Sequence, residues 1–168
     1  SAGEGGVKLV KTYTFKRGQY TVAVKHEVVN QGSAPVSPQL YLQLARDGSK
    51  PEGESSYYFT FTGPAMFTEA GKYKKFDFKD LAKAGAQSHG DTDDGWIAMV
   101  QHYFVSAWLL PPPVAREFRT GKVDAAGLPE YYTIAMVESL GEIAPGASKT
   151  VEATLMAGPQ EEYKLAAL

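Results

Sequence analysis

The sequence contains no cysteine. Disulfide staples, thiolate nucleophiles and Cys-ligated zinc are therefore excluded, although the compartment stays open, because many periplasmic and cytosolic proteins also lack cysteine. Charge of one sign is equally scarce: the formal net charge is −2. No basic face is offered to nucleic acid, and no run of five like charges signals polybasic docking to a membrane. No stretch of about 18 unbroken apolar residues exists, so nothing reads as a bilayer-spanning helix. The start, Ser1 to Gly6, has neither a basic n-region nor an apolar h-region, and reads as a flexible linker rather than a signal peptide. The end, Leu165-Ala166-Ala167-Leu168, stops inside an apparent helix, so a chain cut from something longer is expected.

What is present points to sheet. The 168 residues suit one domain, large enough to bury roughly 70% of its unfolded surface without a metal or disulfide. Hydrophobic residues make up 43% and aromatics 12%, with ten tyrosines, and Tyr and Phe favour strands. From Val7 to Leu44 the dominant period is two. Tyr20, Val22, Val24, His26 and Val28 share one face, the pattern of a half-buried strand. Leu9 to Phe15 is its expected hairpin partner, joined through Lys16-Arg17-Gly18-Gln19 with Gly18 free to take a positive φ. Leu40, Leu42 and Leu44 alternate in the next strand. Tyr57 to Thr62 predicts another, stopped by Gly63-Pro64, and Lys72 to Phe78 alternates weakly before a helical turn over Lys79 to Ala84, closed by Gly85.

Gln87 to Gly95 is expected to be a polar loop. Trp96 to Leu110 is largely apolar, and either a buried helix or a buried strand could carry it. Its composition favours strand, and because 15 residues is long for one strand, a bulge or bend near Gln101-His102 is expected. Short strands follow over Phe118 to Val123, Tyr131 to Glu138 and Lys149 to Ala157, with Ala144 to Ala147 as a turn. Pro159 is expected at the first position of a C-terminal helix, with Glu161 and Glu162 where the helix dipole favours anions. The division is a linker over 1–6, a β-sandwich over 7–158 and a helix over 159–168.

Motifs for chemistry are weak. Asp91-Thr92-Asp93-Asp94-Gly95 resembles a calcium loop, but Gly is fifth rather than sixth and the twelfth position is His102 instead of Glu. A solvated turn is the simpler reading. His26, His89 and His102 lie in different segments without metal-ligand spacing. Ser88, His89 and Asp91 could be written as a triad, yet such groups come from separate elements and no nucleophile elbow is present. Glu117, Glu130 and Glu138 are available carboxylates that nothing selects. Trp96 and Trp108 could stack on sugar rings in a cleft. Their shared parity among aliphatics favours the core instead. No cofactor is signalled.

Gly95-Trp96-Ile97-Ala98-Met99-Val100-Gln101-His102-Tyr103-Phe104-Val105-Ser106-Ala107-Trp108-Leu109-Leu110-Pro111 resembles the hallmark stretch of the large periplasmic domain of YidC-type membrane protein insertases. Thr12 to Tyr20, Phe61 to Ala65, Lys72 to Phe76 and Leu155 to Leu168 agree with that family in the same order, so the likeness spans nearly all of residues 7 to 168. The family's domain is longer at its N-terminus, so the chain is expected to lack that portion and part of any cleft it forms. The resemblance implies a mainly β fold, a β-supersandwich of galactose-mutarotase type with a short internal helix and a C-terminal helix, and it carries no activity with it. It implies a non-catalytic module at the periplasmic face of the bacterial inner membrane, tethered there in the full-length protein. Its implied partners are SecD–SecF and other Sec translocon components, and nascent inner-membrane proteins reached through the whole insertase. The terminal segment Gln160, Glu161, Glu162, Tyr163, Leu165 and Leu168 is the expected contact element; the alternative is that its apolar side packs on the sandwich. A carbohydrate- or peptide-binding cleft with Trp96 and Trp108 as lining aromatics is the rival reading, and a mutarotase-like enzyme a third.

Overall fold

Alternation is clearest in strand β2 (Thr21–Asn30), where Val24, His26, Val28 and Asn30 are buried while Ala23 and Lys25 face solvent. A computed structural model describes residues 6–49, 60–124 and 129–160. β1 (Val7–Phe15) pairs with β2 as the expected hairpin, with Gly18 in the turn at φ 77°. β3 (Gln39–Asp47) buries Leu40 and Leu42. β4 (Gly63–Thr68) and β5 (Lys72–Lys75) form a hairpin, followed by α1 (Phe78–Ala84) and β6 (Gln87–Thr92). Then come β7 (Trp96–Gln101), β8 (Phe104–Leu109), β9 (Arg116–Val123), β10 (Tyr131–Ser139) and β11 (Ser148–Pro159). Helix α1 stops at Gly85, whose N–H donates to Leu81 O at 3.0 Å.

Two antiparallel sheets face each other, with orders β1-β2-β11-β8-β7-β4-β5 and β3-β10-β9-β6. Between them lies the main core, built from Leu42, Ile97, Phe118, Ile134 and Met136 among others. Each comes from one parity of its strand, so a one-residue slip would turn that set to the other face. This is the mainly β sandwich expected from the resemblance.

Several boundaries differ from expectation. The apolar stretch is not one bent strand but the hairpin β7–β8, in which Trp96 pairs with Leu109 and Gln101 with Phe104. His102 and Tyr103 make its tight turn, with Tyr103 at φ 72°. Composition hid that turn, because neither residue is a usual turn former. Gln87–Thr92 is a strand rather than a loop: it is the polar edge of the smaller sheet, interrupted by an irregularity between Ser88 and Asp91. An edge strand needs no apolar alternation, and charge there blocks unwanted pairing. Gly63-Pro64 opens β4 instead of ending a strand; Pro is tolerated at a strand's first residues. Of the expected strand over 57–62, residues 57–59 lie outside the described residues and 60–62 are not in a strand. Pro159 closes β11, paired with Phe104, and so does not start a helix. Residues 161–168 of the expected helix lie outside the described residues.

Candidate functional site: the outer face of the large sheet

The outward side of a sandwich sheet is usually polar, and here part of it is not. Ala98, Val105, Ala107 and Met156 are buried on the side of the seven-stranded sheet that faces away from the main core, with Trp96, Val100 and Leu109 packed against them. Register explains the grouping, since Met156 lies beside Ala107, Ala107 beside Ala98 and Leu109 beside Trp96. Phe67 stacks on Trp96 with centroids 5.9 Å apart, and Tyr73 meets the same indole at 5.9 Å. The two tryptophans therefore part company. Trp108 pairs with Ile97 on the inner side, packs against the main core and reaches Gln43 O at 3.4 Å. Parity misled because the hairpin turn lies between them: across an antiparallel turn, residues of equal parity need not share a face.

Beside this apolar strip runs a trough of about 610 Å³. Thr12 and Thr14 of β1, Ala23 and Lys25 of β2, and Glu152 and Thr154 of β11 line it, with Leu109, Pro111 and Pro112 along one margin. Small side chains at successive register partners make the hollow: Thr14 pairs with Ala23, which pairs with Thr154. Lys25 and Glu152 are register partners as well, so the trough carries one charge of each sign beside its hydroxyls. Such a surface can accept and donate hydrogen bonds. Its lining contains no histidine to move a proton.

The histidines lie elsewhere and apart. His26 is buried on the inner face near Trp108, its Nδ1 without a partner, and burial with help from Lys11 pushes its pKa down. His89 meets Thr120 Oγ1 at 2.8 Å, and its pKa is lowered by burial and by Lys74. His102 sits in the β7–β8 turn against the Tyr103 ring. Among the described residues no three His, Asp or Glu side chains converge as metal ligands. Asp94 accepts from Thr92 Oγ1 at 2.6 Å and from Glu69 N–H at 2.8 Å, which fixes the turn between β6 and β7. Ser88, His89 and Asp91 share the edge strand β6 rather than converging from separate elements. The three glutamates are dispersed too. Glu117 is held at about 2 by Arg119 and Ser88, Glu130 is paired with Lys122 at 2.7 Å, and Glu138 is buried with its pKa raised by desolvation.

Sequence reasoning missed Arg116 altogether. Its side chain is 2% exposed, and its donors all end on backbone carbonyls. Nε donates to Val114 O at 2.8 Å, Nη1 to Gly95 O at 3.0 Å and Leu110 O at 3.1 Å, and Nη2 to Asp93 O at 3.0 Å and Pro111 O at 3.2 Å. The acceptors lie just before β7 and just after β8, so one guanidinium closes the base of the hallmark hairpin. Nothing in the local sequence marks it.

Of the terminal contact residues, only Gln160 is described. Its backbone N–H donates to Tyr103 O at 2.8 Å and its amide to Gln101 O and Phe104 O at 3.0 and 3.1 Å, which ties the end of β11 to the β7–β8 turn. Glu161, Glu162, Tyr163, Leu165 and Leu168 lie outside the described residues.

This two-sheet antiparallel sandwich, with one partly apolar outer face, has a mutarotase-like fold. In fold it is similar to a galactose mutarotase related enzyme from Lactobacillus acidophilus, with TM-score 0.55 and 10% identity over 93% of this chain and 63% of that one. A galactose mutarotase-like protein from Lactobacillus casei gives 0.50, at 12% identity over 90% and 63% of the two chains. At such identity the likeness is one of fold alone. The sequence is more specific: the family model for the YidC periplasmic domain matches residues 1–168, and the chain belongs to that family. It is 52% identical to the membrane protein insertase YidC of Cupriavidus necator over 98% of this chain, and 51% identical to that of Cupriavidus taiwanensis over 96%. The chain spans 29% and 28% of the length of those two relatives. No helix among the described residues is long and apolar enough to cross a membrane.

Proposed function

We propose that this sandwich is a non-catalytic domain of a membrane protein insertase, held at the periplasmic face of the inner membrane through the segment after Gln160. There it docks accessory components of the Sec translocon, SecD–SecF foremost, and supports the folding of nascent inner-membrane proteins handled by the whole insertase. The observation that carries this reading is the family match along the entire chain. The dispersal of the histidines and glutamates supports a binding role over catalysis. The decisive experiment deletes residues 7–158 from the full-length insertase and measures co-purification of SecD–SecF. Loss of the accessory proteins is expected; undiminished recovery refutes docking by this domain. Glu161→Lys with Glu162→Lys then asks whether the terminal segment is the contact.

A second reading rests on the trough: its hydroxyl-lined floor suits a polyol or an extended peptide. Chemical-shift changes confined to Thr12, Thr14, Ala23 and Thr154 on titration with sugars or peptides would support it, and a silent titration would remove it. Epimerisation of aldoses is not expected, because the trough lining offers no histidine beside Glu152.

A further inference from the structure

The exposed aromatic side chains are unevenly placed. Antiparallel pairing sets Phe15 level with Val22, Leu155 and Trp108, and the β1–β2 turn that follows it points towards the end of the large sheet where Pro159 pairs with Phe104 and Phe104 with Gln101. Phe15 is 74% exposed, Tyr103 71% and Phe104 54%. The smaller sheet is aligned with it, since Arg46 Nη1 meets Gln101 Oε1 at 2.6 Å. Lys16 and Arg17, exposed in the β1–β2 turn, have no acidic partner among the described residues. Gln160, where the chain leaves β11, is bound to the turn that presents Tyr103 and Phe104.

Neither folding nor local geometry asks for these rings. Tyr103 occupies φ 72°, where Gly or Asn would be easier, and an aromatic so exposed gains little burial. A surface that supplies both apolar and polar contacts would explain the choice. Tyr and Trp settle at the headgroup level of bilayers, with the ring among acyl carbons and the polar atom in water. Lys and Arg beside them are drawn to anionic lipid. A second copy of this chain is a poorer occupant, because a twofold contact through this end would bring Lys16 and Arg17 towards their own counterparts.

We propose that this end of the sandwich rests on the headgroup region of an anionic bilayer, with Phe15, Tyr103 and Phe104 in the interface and Lys16 and Arg17 against lipid phosphates. The proposal rests on the membrane tethering proposed above and adds to it a defined orientation and lipid preference.

The test uses the full-length insertase in an otherwise cysteine-free background, reconstituted into phosphatidylethanolamine–phosphatidylglycerol vesicles. A fluorophore on Tyr103→Cys is compared with one on Tyr41→Cys, an exposed tyrosine near the start of β3. Lipids carrying a nitroxide at the headgroup should quench the first at least twofold more than the second. Phosphatidylcholine in place of phosphatidylglycerol, or Lys16→Glu with Arg17→Glu, should abolish the difference. Equal quenching at both sites overturns the proposal, as does a water-shielded but unquenched label at 103, the signature of a protein cover. Quenching that persists unchanged in phosphatidylcholine overturns the lipid preference. If the label at 103 is unquenched while deletion of the domain still releases SecD–SecF, docking stands and bilayer contact falls.

Discussion

Arg116→Met should be the most damaging conservative-volume substitution in the chain. The guanidinium has five N–H donors, and each finds a carbonyl, those of Val114, Gly95, Leu110, Asp93 and Pro111, at 2.8 to 3.2 Å. Hydrogen bonds from a charged donor contribute about 1.5–3 kcal/mol each, so a simple sum would reach the whole stability of a domain, about 5–15 kcal/mol. That sum is too large. Asp93, Pro111 and Val114 lie in loops whose carbonyls can turn to water, whereas Leu110 is buried. Removing the cation also ends its desolvation, which already lowers the Arg116 pKa. The expected loss is therefore about 3–5 kcal/mol, the range found when one member of a buried charged network is removed. Arg116→Lys keeps the charge but has three donors in place of five, and should fall between. Urea unfolding followed by tryptophan emission is a suitable assay, because Trp96 follows Gly95, one of the acceptors. A loss below about 0.5 kcal/mol for Arg116→Met would refute the view that this side chain closes the hairpin base.

Gly95→Ala should destabilise by more than about 1 kcal/mol: φ is 85°, and an added Cβ would collide with the Phe67 carbonyl oxygen, part of the backbone of β4. Thermal unfolding checks this, and an unchanged midpoint would mean the turn can rearrange. Asn30→Asp should cost about 1–3 kcal/mol, because the buried amide donates to Ala34 O and Ile143 O, both at 2.9 Å, and a carboxylate would place oxygens against both. Hydrogen exchange at Gly32, whose N–H donates to Asn30 Oδ1, should change little by comparison. Glu138 predicts a pH effect of opposite sign to the usual carboxylate. Burial raises its pKa above 4.5, and Oε2 has no partner, so the folded state binds its proton more tightly than the unfolded state. Its destabilising effect is present above the folded pKa and disappears as pH falls through that value towards 4.5. Glu138→Gln should accordingly stabilise at pH 7 and make no difference in acid; a variant less stable than the parent at pH 7 would contradict this.

The alternation of Val24, His26 and Val28, the Gly18 turn and the three leucines of β3 are each local properties, and the β1–β2 hairpin and the inner face of β3 were legible from them. So was family membership, because Gly95 to Trp108 carries enough fixed identities to be specific. Edge strand β6 was not legible: a polar edge gains its pairing from a neighbour distant in sequence, Arg116–Val123, and nothing within Gln87–Thr92 announces it. The same applies to Pro159, whose chemistry permits a helix start or a strand end, with pairing to Phe104 deciding between them.

For function the division is sharper. The lack of cysteine excluded thiol roles, and a net charge of −2 without a run of like charges argued against nucleic-acid and polybasic membrane roles. Only tertiary structure could separate Trp96 from Trp108, since a turn at His102-Tyr103 reverses the chain and sends equal parities to opposite faces. Only tertiary structure could direct the turn after Phe15 towards the end that carries Tyr103 and Phe104, because that depends on the order of strands, which pairing across the whole chain sets. Arg116 makes the same point: a lone arginine in the sequence becomes a five-bond clamp once β7 and β8 have brought their ends together.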